Sequence, residues 1–590
     1  MGRIAPHPGR VLAGAAVAAL GCAAEPAVAL AQFTGGGTTQ PATGLDGARI
    51  GDLGSALRTY LPSSAAGTVA PRTIGPNWQV SPSIGVDVGF TDNALRVNSP
   101  RRADVFTLLT PSIQVSADTA RIQANASYTP AISIYASNSG QSRVDQFGQA
   151  GALVALVPEA VFLDLRGSVS ESSLFGGFGA ADGRGNNNNN QVTTVTLSAT
   201  PYVQHRFGGY GTGVASYSIA QTFQNQPTGT LVNQGFVNQG FVNNGVAAGP
   251  AFFGSSGNLT TQRERASFAT GENLGRINNL SIISATQYDG SGSYSGAYRN
   301  EVSTTTGYAI TRNVTALGTI GYQDLHYAGL PPYNVNQGLW SVGGRYAPNP
   351  NLSLTLTYGR RDGIQDFAAN GFWSPTARTA IYANYSTGLT SSAEEYQNVL
   401  ETTSVGPSGL LTDRVTGAPV ASGGSSFYGN QNGIFQLRRV SVTGLLSYTR
   451  DSFTATISNE RRTSVTNTAT NTGAGVVPPG TTTTGTFGTV SWGHQFSDRL
   501  SGNLTASYGV NDNGAAFGQA AGSQTSFTGT AGLGYIFTET LTGRVQYTHT
   551  ESSGVGVNGF GLNGFNTFNS GSQSGSYVEN ALLAGLRKSF

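Results

Sequence analysis

The stretch Trp78-Gln-Val-Ser-Pro-Ser-Ile-Gly-Val-Asp-Val-Gly-Phe90 decides the fold. Trp78, Val80, Pro82, Ile84, Val86, Val88 and Phe90 fall on every second position. Between them stand Gln79, Ser81, Ser83, Gly85, Asp87 and Gly89, all small or polar. Successive side chains of a strand point to opposite faces, so period two describes a strand with one apolar and one polar face. The same pattern recurs at Ile122 to Ile134, Leu352 to Tyr358, Leu504 to Val510 and Phe527 to Phe537. The longest runs exceed the five or six residues usual for a soluble sandwich strand and reach the length that crosses hydrocarbon. Backbone groups in lipid must all be paired, which forces an extended chain to close on itself. The expected fold is therefore all-β: a transmembrane antiparallel up-and-down barrel over 78–590. Val, Ile, Leu and Tyr would face lipid, and Ser, Thr, Asn and Gly the lumen. Trp78, Tyr135, Tyr358, Tyr448 and Tyr508 suit interfacial aromatic girdles.

Composition agrees. The 590 residues include 82 Gly, and only 11% are charged. With 32 basic against 30 acidic residues the surface is not polycationic, so nucleic acid is not an expected partner. Arg3 and Arg10, the apolar run Val11 to Leu20, and Ala29-Leu30-Ala31 form a cleavable export signal over 1–31, leaving Gln32 first. The single Cys (Cys22) and the single Met (Met1) both lie in it, so the mature chain would carry no disulfide, thiolate metal site or cysteine nucleophile. Residues 32–77 read as a flexible periplasmic arm, in which Leu53, Leu57 and Leu61 would share one face of two helical turns. These residues are too few for the globular plug that a TonB-dependent transporter holds in its barrel, which argues against that class.

Short connections are expected at Asp118-Ala120, Pro158-Ala160, Phe207-Tyr210, Gly271-Arg276 and Thr311-Val314. Five more follow at Asn349-Asn351, Ser374-Arg378, Thr449-Ser452, Phe496-Arg499 and Thr538-Leu541. They imply about twenty-two strands, give or take four, with both chain ends on the periplasmic side. The stretches 260–310 and 364–372 are weakly patterned. Long outer connections are marked by Gly183 to Asn190, Leu231 to Gly245 and Thr463 to Thr484. The longest insertion, Ser391 to Asn430, carries Glu394, Glu395, Glu401, Asp413 and Arg414. It could fold inward and constrict the pore or cover the mouth, and the second is the expectation, because most outer loops do no gating.

Chemistry is sparse. His7, His205, His326, His494 and His549 have no second ligand type at metal spacing and read as interfacial strand residues. Gly554-Val-Gly556-Val-Asn-Gly559 matches a dinucleotide fingerprint, but lacks its flanking strand, helix and acidic residue and reads as an outer loop. Glu460-Arg461-Arg462 and Arg360-Arg361-Asp362 read as solvated rim charges. Neither an enzyme nor a cofactor is expected. By parity, Asp87, Asp164, Arg166, Arg345, Arg361, Arg439, Glu460, Arg462 and Arg544 should line the pore. Arg outnumbers acid six to three in that set, which leans toward anionic solutes.

Pro76-Asn-Trp-Gln-Val-Ser-Pro-Ser-Ile-Gly-Val-Asp-Val-Gly-Phe-Thr-Asp-Asn93 resembles the opening strand of a proteobacterial family of outer-membrane β-barrel porins. Asp104-Val105-Phe106, Thr110-Pro111-Ser112-Ile113 and Tyr358-Gly359-Arg360-Arg361 extend the likeness, as does the insertion with Leu411-Thr412-Asp413 and Thr416-Gly417-Ala418-Pro419. The resemblance implies a cell outer-membrane pore linked to exopolysaccharide export, with export components as partners and no catalytic residues. Leu582, Ala584, Leu586 and the terminal Phe590 resemble the strand read by the barrel-assembly machinery, from which Lys588 departs. Porin-like passage of hydrophilic solutes or polysaccharide is the expected function. The alternative is a non-conducting surface barrel whose Thr/Asn/Gly-rich loops adhere or bind.

Overall fold

The computed structural model describes residues 72–73, 78–172, 192–225, 258–405, 411–413, 433–466, 479–513, 522–554 and 576–590. Twenty-two antiparallel spans form one ring. They are β1 (Trp78–Thr91), β2 (Asp104–Asp118), β3 (Ile122–Tyr128 and Ala131–Tyr135), β4 (Arg143–Asp145 and Gly148–Val157), β5 (Val161–Ser172) and β6 (Val192–Arg206). Next come β7 (Gly211–Asn225), β8 (Leu259–Thr270), β9 (Ile277–Gly290), β10 (Tyr298–Ala309), β11 (Val314–Tyr327) and β12 (Tyr333–Asn349). β13 (Leu352–Arg361), β14 (Ile364–Thr376) and β15 (Thr379–Thr390) lead to one helix, α1 (Ser392–Thr402). The ring continues through β16 (Ile434–Ser447), β17 (Asp451–Thr466), β18 (Thr482–Gln495), β19 (Leu500–Asn513), β20 (Gly522–Thr538), β21 (Leu541–Gly554) and β22 (Tyr577–Ser589). β1 and β22 close it, from Ser83 opposite Ser589 to Thr91 opposite Ala581.

All ten short connections fall where the sequence places them, and the weakly patterned stretches become β8, β9, β10 and β14. The export signal, His7, most of the long connections, and the arm with Leu53, Leu57 and Leu61 lie outside the described residues, except Arg72–Thr73 of the arm, which pair antiparallel with Val80 and Gln79 of β1. So do Arg414 and Gly556 to Gly559, whereas Gly554 ends β21. Thr463 to Thr466 and Thr482 to Thr484 belong to strands β17 and β18 rather than to the loop between them. β3 is interrupted at Thr129-Pro130, where proline has no N–H to give the ladder, and β4 breaks beside it at Gln146-Phe147.

The two faces separate as the alternation requires. In β1, Ile84, Val86, Val88 and Phe90 are exposed, while Gly85, Asp87, Gly89 and Thr91 are buried. Exposed apolar side chains such as Ile320, Val342, Ile457, Val490 and Leu533 continue this belt around the ring. So wide an apolar surface is stable only against lipid. Phe207, Tyr210, Tyr308, Tyr448, Phe496 and Phe537 stand exposed near the short-turn end, as an aromatic girdle does. Tyr135 does not join a girdle. It points inward, is buried, and packs on Phe106 with ring centres 5.5 Å apart.

The inner face changes along the barrel axis. In β6 the inward residues Val192, Thr194, Thr196 and Ser198 are buried, but Thr200, Tyr202 and Gln204 are part-exposed and Arg206 is exposed. β17 shows the same order from its other end: Ser452 is exposed, Thr454 and Thr456 are intermediate, and Ser458, Glu460, Arg462, Ser464 and Thr466 are buried. The half of the lumen nearer the short turns is open to solvent, and the half nearer the long connections is filled.

One ladder is incomplete. β14 and β15 pair only through Ala369–Trp373 against Tyr385–Ile381, and at Thr376 with Thr379. Above Ala369 each continues on its other side alone, β14 to Ile364 against β13 and β15 to Thr390 against β16. Asp366 stitches the parted strands, accepting from the hydroxyls of Tyr385 (3.0 Å) and Thr387 (2.9 Å).

At the closing seam, Asp87 in β1 and Arg544 in β21 reach across β22 and form a two-fold bond, 2.7 Å at each oxygen. Gly585 of β22 lies in register with both. A Cβ there would stand 2.1 Å from the Asp87 carboxylate and 2.5 Å from the Val86 carbonyl. Gly585→Val should break the clamp and leave a buried carboxylate unpaired, costing about 3–5 kcal/mol. On unheated gels the folded band should be lost at a clearly lower temperature than for the native chain.

Candidate functional site in the barrel lumen

The lumen is organised by α1, which follows directly on β15. Ser391 caps it: its side chain accepts from the Glu394 N–H at 3.2 Å, while Glu394 and Glu395 put negative charge in the first turn. The helix folds inward, and Ser392 through Leu400 are all buried. For the described helical part of the insertion the expected cover over the mouth is thus corrected, because the helix has partners on both walls, while 406–410 and 414–430 lie outside the described residues.

On one wall, Tyr288 of β9 donates to Glu394 at 2.7 Å, and the Tyr294 hydroxyl meets Ser391. Gln397 donates to the Leu259 carbonyl at 3.0 Å and accepts from Thr261 at 2.6 Å. Glu401 accepts from Arg263 at 3.0 Å. Leu259, Tyr288, Leu325, Tyr327, Val335, Leu389, Ala393 and Ile434 pack into one buried cluster around the N-terminal turn. At the far end, Arg166 of β5 donates to the Leu400 carbonyl at 2.9 Å and the Thr403 carbonyl at 2.7 Å. A cation there satisfies carbonyls that the last turn leaves free and suits the negative end of the helix dipole.

On the opposite wall, Arg439 of β16 donates through Nε to Glu460 at 2.7 Å and through Nη2 to Glu395 at 2.9 Å. Arg462 of β17 donates to Glu460 and, at 3.3 Å, to Glu395, and its guanidinium lies 5.0 Å from the centre of the Phe435 ring. None of these four side chains is more than 2% exposed, so this is a desolvated, electroneutral tetrad. Burial pushes the Glu395 carboxyl up, against the pull of the two guanidiniums. β5 and β16 are half the ring apart in strand order, so the helix spans the lumen from wall to wall. Eleven residues rise about 16 Å. The long Arg and Glu side chains supply the remaining reach.

The other expected pore-lining residues sort in the same way. Asp164 pairs with Arg166 at 2.8 Å, Asp87 with Arg544 at 2.7 Å, and Arg361 with Glu301 at 2.6 Å. Arg361 is buried, not a solvated rim charge, and so are Glu460 and Arg462. Asp362 is buried too, 3.5 Å from Arg299. Arg345, half-buried like Asp164, Arg166 and Arg544, is the one of the nine with no ion pair among the described residues. Glu395 and Glu301 bring Arg166, Arg361, Arg439, Arg462 and Arg544 into balance with Asp87, Asp164, Glu301, Glu395 and Glu460. The Arg excess that leaned toward anionic solutes is largely compensated. Among the histidines, His494 bonds Asp451 at 2.7 Å, His549 bonds Asn580 at 2.8 Å, His326 meets Asn334, and His205 packs edge-on against Phe207.

The sequence did carry a mark of α1. Ser391-Ser-Ala-Glu394 has capping-box spacing, and Tyr396, Val399 and Leu400 follow at helical intervals.

No protein-family model matches the sequence, nor does any curated protein sequence. Solved barrels are similar in architecture. The FrpB iron transporter from Neisseria meningitidis superposes with a TM-score of 0.44 at 10% identity, over 88% of this chain and 83% of that one. The ferric-catecholate import receptor Fiu from E. coli K12 gives 0.43 at 11%, over 88% and 82%. A mutant ferric enterobactin receptor, PfeA, from Pseudomonas aeruginosa gives 0.38 at 11%, over 87% and 80%.

Removing one carboxylate from the tetrad leaves two buried guanidiniums sharing a single acid. Glu395→Gln should weaken α1 docking by about 3–5 kcal/mol. Hydrogen exchange at the α1 amides should accelerate by orders of magnitude, while the strand amides keep their protection.

Proposed function

We propose that this chain is a non-enzymatic pore of the Gram-negative outer membrane, passing hydrophilic, polyhydroxylated solutes or polysaccharide, with α1 narrowing the path. The observation that carries this reading is the inner face itself. It is lined by Ser, Thr, Asn and Gln hydroxyls and amides, solvent-open in one half, and most of its Arg–carboxylate charge is mutually neutralised. A surface of hydroxyls with little net charge suits neutral, hydrogen-bonding cargo better than ions. Export by a cleaved segment 1–31, insertion by the barrel-assembly machinery through the strand ending at Phe590, and partnership with polysaccharide-export components belong to the same proposal. Arg345, inward and without an ion pair among the described residues, as are Arg265 and Arg587, is the pore-lining residue assigned to contact solute.

A second reading, a surface barrel that anchors binding loops without conducting, is favoured by one observation: α1 is held on both walls.

Single-channel recording of residues 32–590 in planar bilayers separates the two. A pore gives steady steps, larger once Ser392–Thr402 is deleted, and a salt-gradient reversal potential near zero. Folded protein that stays silent both with and without α1 supports the anchor and sinks the pore. A permeability ratio above about ten toward either ion would overturn the neutral-cargo assignment.

A further inference from the structure

The outer wall carries a feature that passage through the lumen does not use. Arg438 in β16 and Arg461 in β17 are direct ladder partners, and both point away from the lumen, on the face that bears Val440 and Ile457. Side chains opposed in this way have Cβ atoms about 5 Å apart, and like charges so placed repel. Arg360, at the outer end of β13, is exposed on the face of Trp340, three strands from Arg438 and, with β14 and β15 parted between them, more than about 14 Å away. Between them β14 and β15 part, and among the described residues Asp366 supplies the one carboxylate in contact, 2.9 Å from Arg438 Nε. Arg360 and Arg461 have no ion pair among the described residues. The neutral polar neighbours are Gln365, hydrogen-bonded to Tyr358, and Asn459, hydrogen-bonded to Thr486.

Three guanidiniums therefore face one carboxylate, and they do so on a lipid-facing wall. Immediately toward the membrane centre lie Val440, Val442, Ile457 and Phe367, all exposed and apolar. The basic patch sits at the upper border of the apolar belt, the level of lipid headgroups in the outer leaflet. An anion that satisfies guanidiniums there must arrive on a lipid, and phosphate oxygens match their donor geometry. We propose that Arg360, Arg438 and Arg461, framing the parted β14–β15 seam, form a docking site for a phosphate-bearing lipid of the outer leaflet.

The test uses the folded full chain in phosphatidylcholine nanodiscs doped with diphosphoryl lipid A or with its dephosphorylated counterpart. Lipid retained on the protein is counted by native mass spectrometry. The native chain should retain the phosphorylated lipid preferentially. The R360Q/R461Q double variant removes two exposed side chains without an ion-pair partner, and its retention should fall about tenfold or more. R312Q, an exposed site in the turn at the opposite end, should behave as the native chain does. Undiminished retention by the double variant overturns the proposal, as does equal retention of the dephosphorylated lipid. Displacement by millimolar inorganic phosphate in detergent, at the affinity shown for the lipid, would assign the patch to free phosphate and overturn the lipid assignment.

Discussion

A peptide group in hydrocarbon has no water to bond, and this constraint governs the whole molecule. Every N–H and C=O of a spanning strand must find a neighbouring strand, so an extended chain in lipid has only one stable end state, a ring without edges. Twenty-two spans satisfy it here apart from the β14–β15 seam above Ala369, and the last join is made by β1 and β22. The alternation of apolar and polar residues follows from the ring, since one face must meet lipid and the other cannot. The Asp87–Arg544 bond across Gly585 reinforces the join from the lumen side, where an ion pair is shielded from lipid by the wall itself.

Closing the ring creates the next problem. A wide barrel encloses polar side chains that must be wetted or partnered, and this chain uses both solutions at different depths. Near the short turns the hydroxyl-lined face is solvated. Toward the outer end a single helix takes up the partners. Its acidic first turn meets two arginines of β16 and β17, and its C-terminal carbonyls meet one arginine of β5. Charge order along α1 follows its dipole, so the helix can be held in one direction only. The tetrad adds specificity more than stability, because two buried ion pairs roughly repay their own desolvation while a broken one does not.

Most of the barrel could be read from the chain, since strand parity, turn positions and inward charge are all local properties. The ten short connections and the inward direction of Asp87, Asp164, Arg166, Arg439, Glu460, Arg462 and Arg544 follow from period two alone. What could not be read was pairing between distant segments. Glu395 balances Arg439 and Arg462 only because a loop helix crosses the lumen, and Glu301 balances Arg361 across three strand boundaries. Counting Arg against acid along strands therefore overstated the positive charge. Tyr135 misled for a related reason: aromatic residues at strand ends serve girdle and core alike, and only Phe106 on the neighbouring strand decides between them. Ser391-x-x-Glu394 was legible as a helix start, but its direction, inward rather than outward, depends on partners 67 residues ahead at Arg462 and 106 behind at Tyr288.

The closing seam also sets an order in time. Ser83 is bonded to Arg587, 504 residues away, and the two strands that complete the ring are the first and last of the twenty-two. Until those two spans meet, every arc of the ring ends in two bare edges. Contacts of such sequence separation form slowly. Throughout that interval the chain shows its apolar stripes and unpaired strands to water, the state in which edge strands aggregate. The sparse charge and abundant glycine of the sequence do nothing to hide them. A chain of this topology is safe from edge-to-edge pairing only once the first and last spans have met.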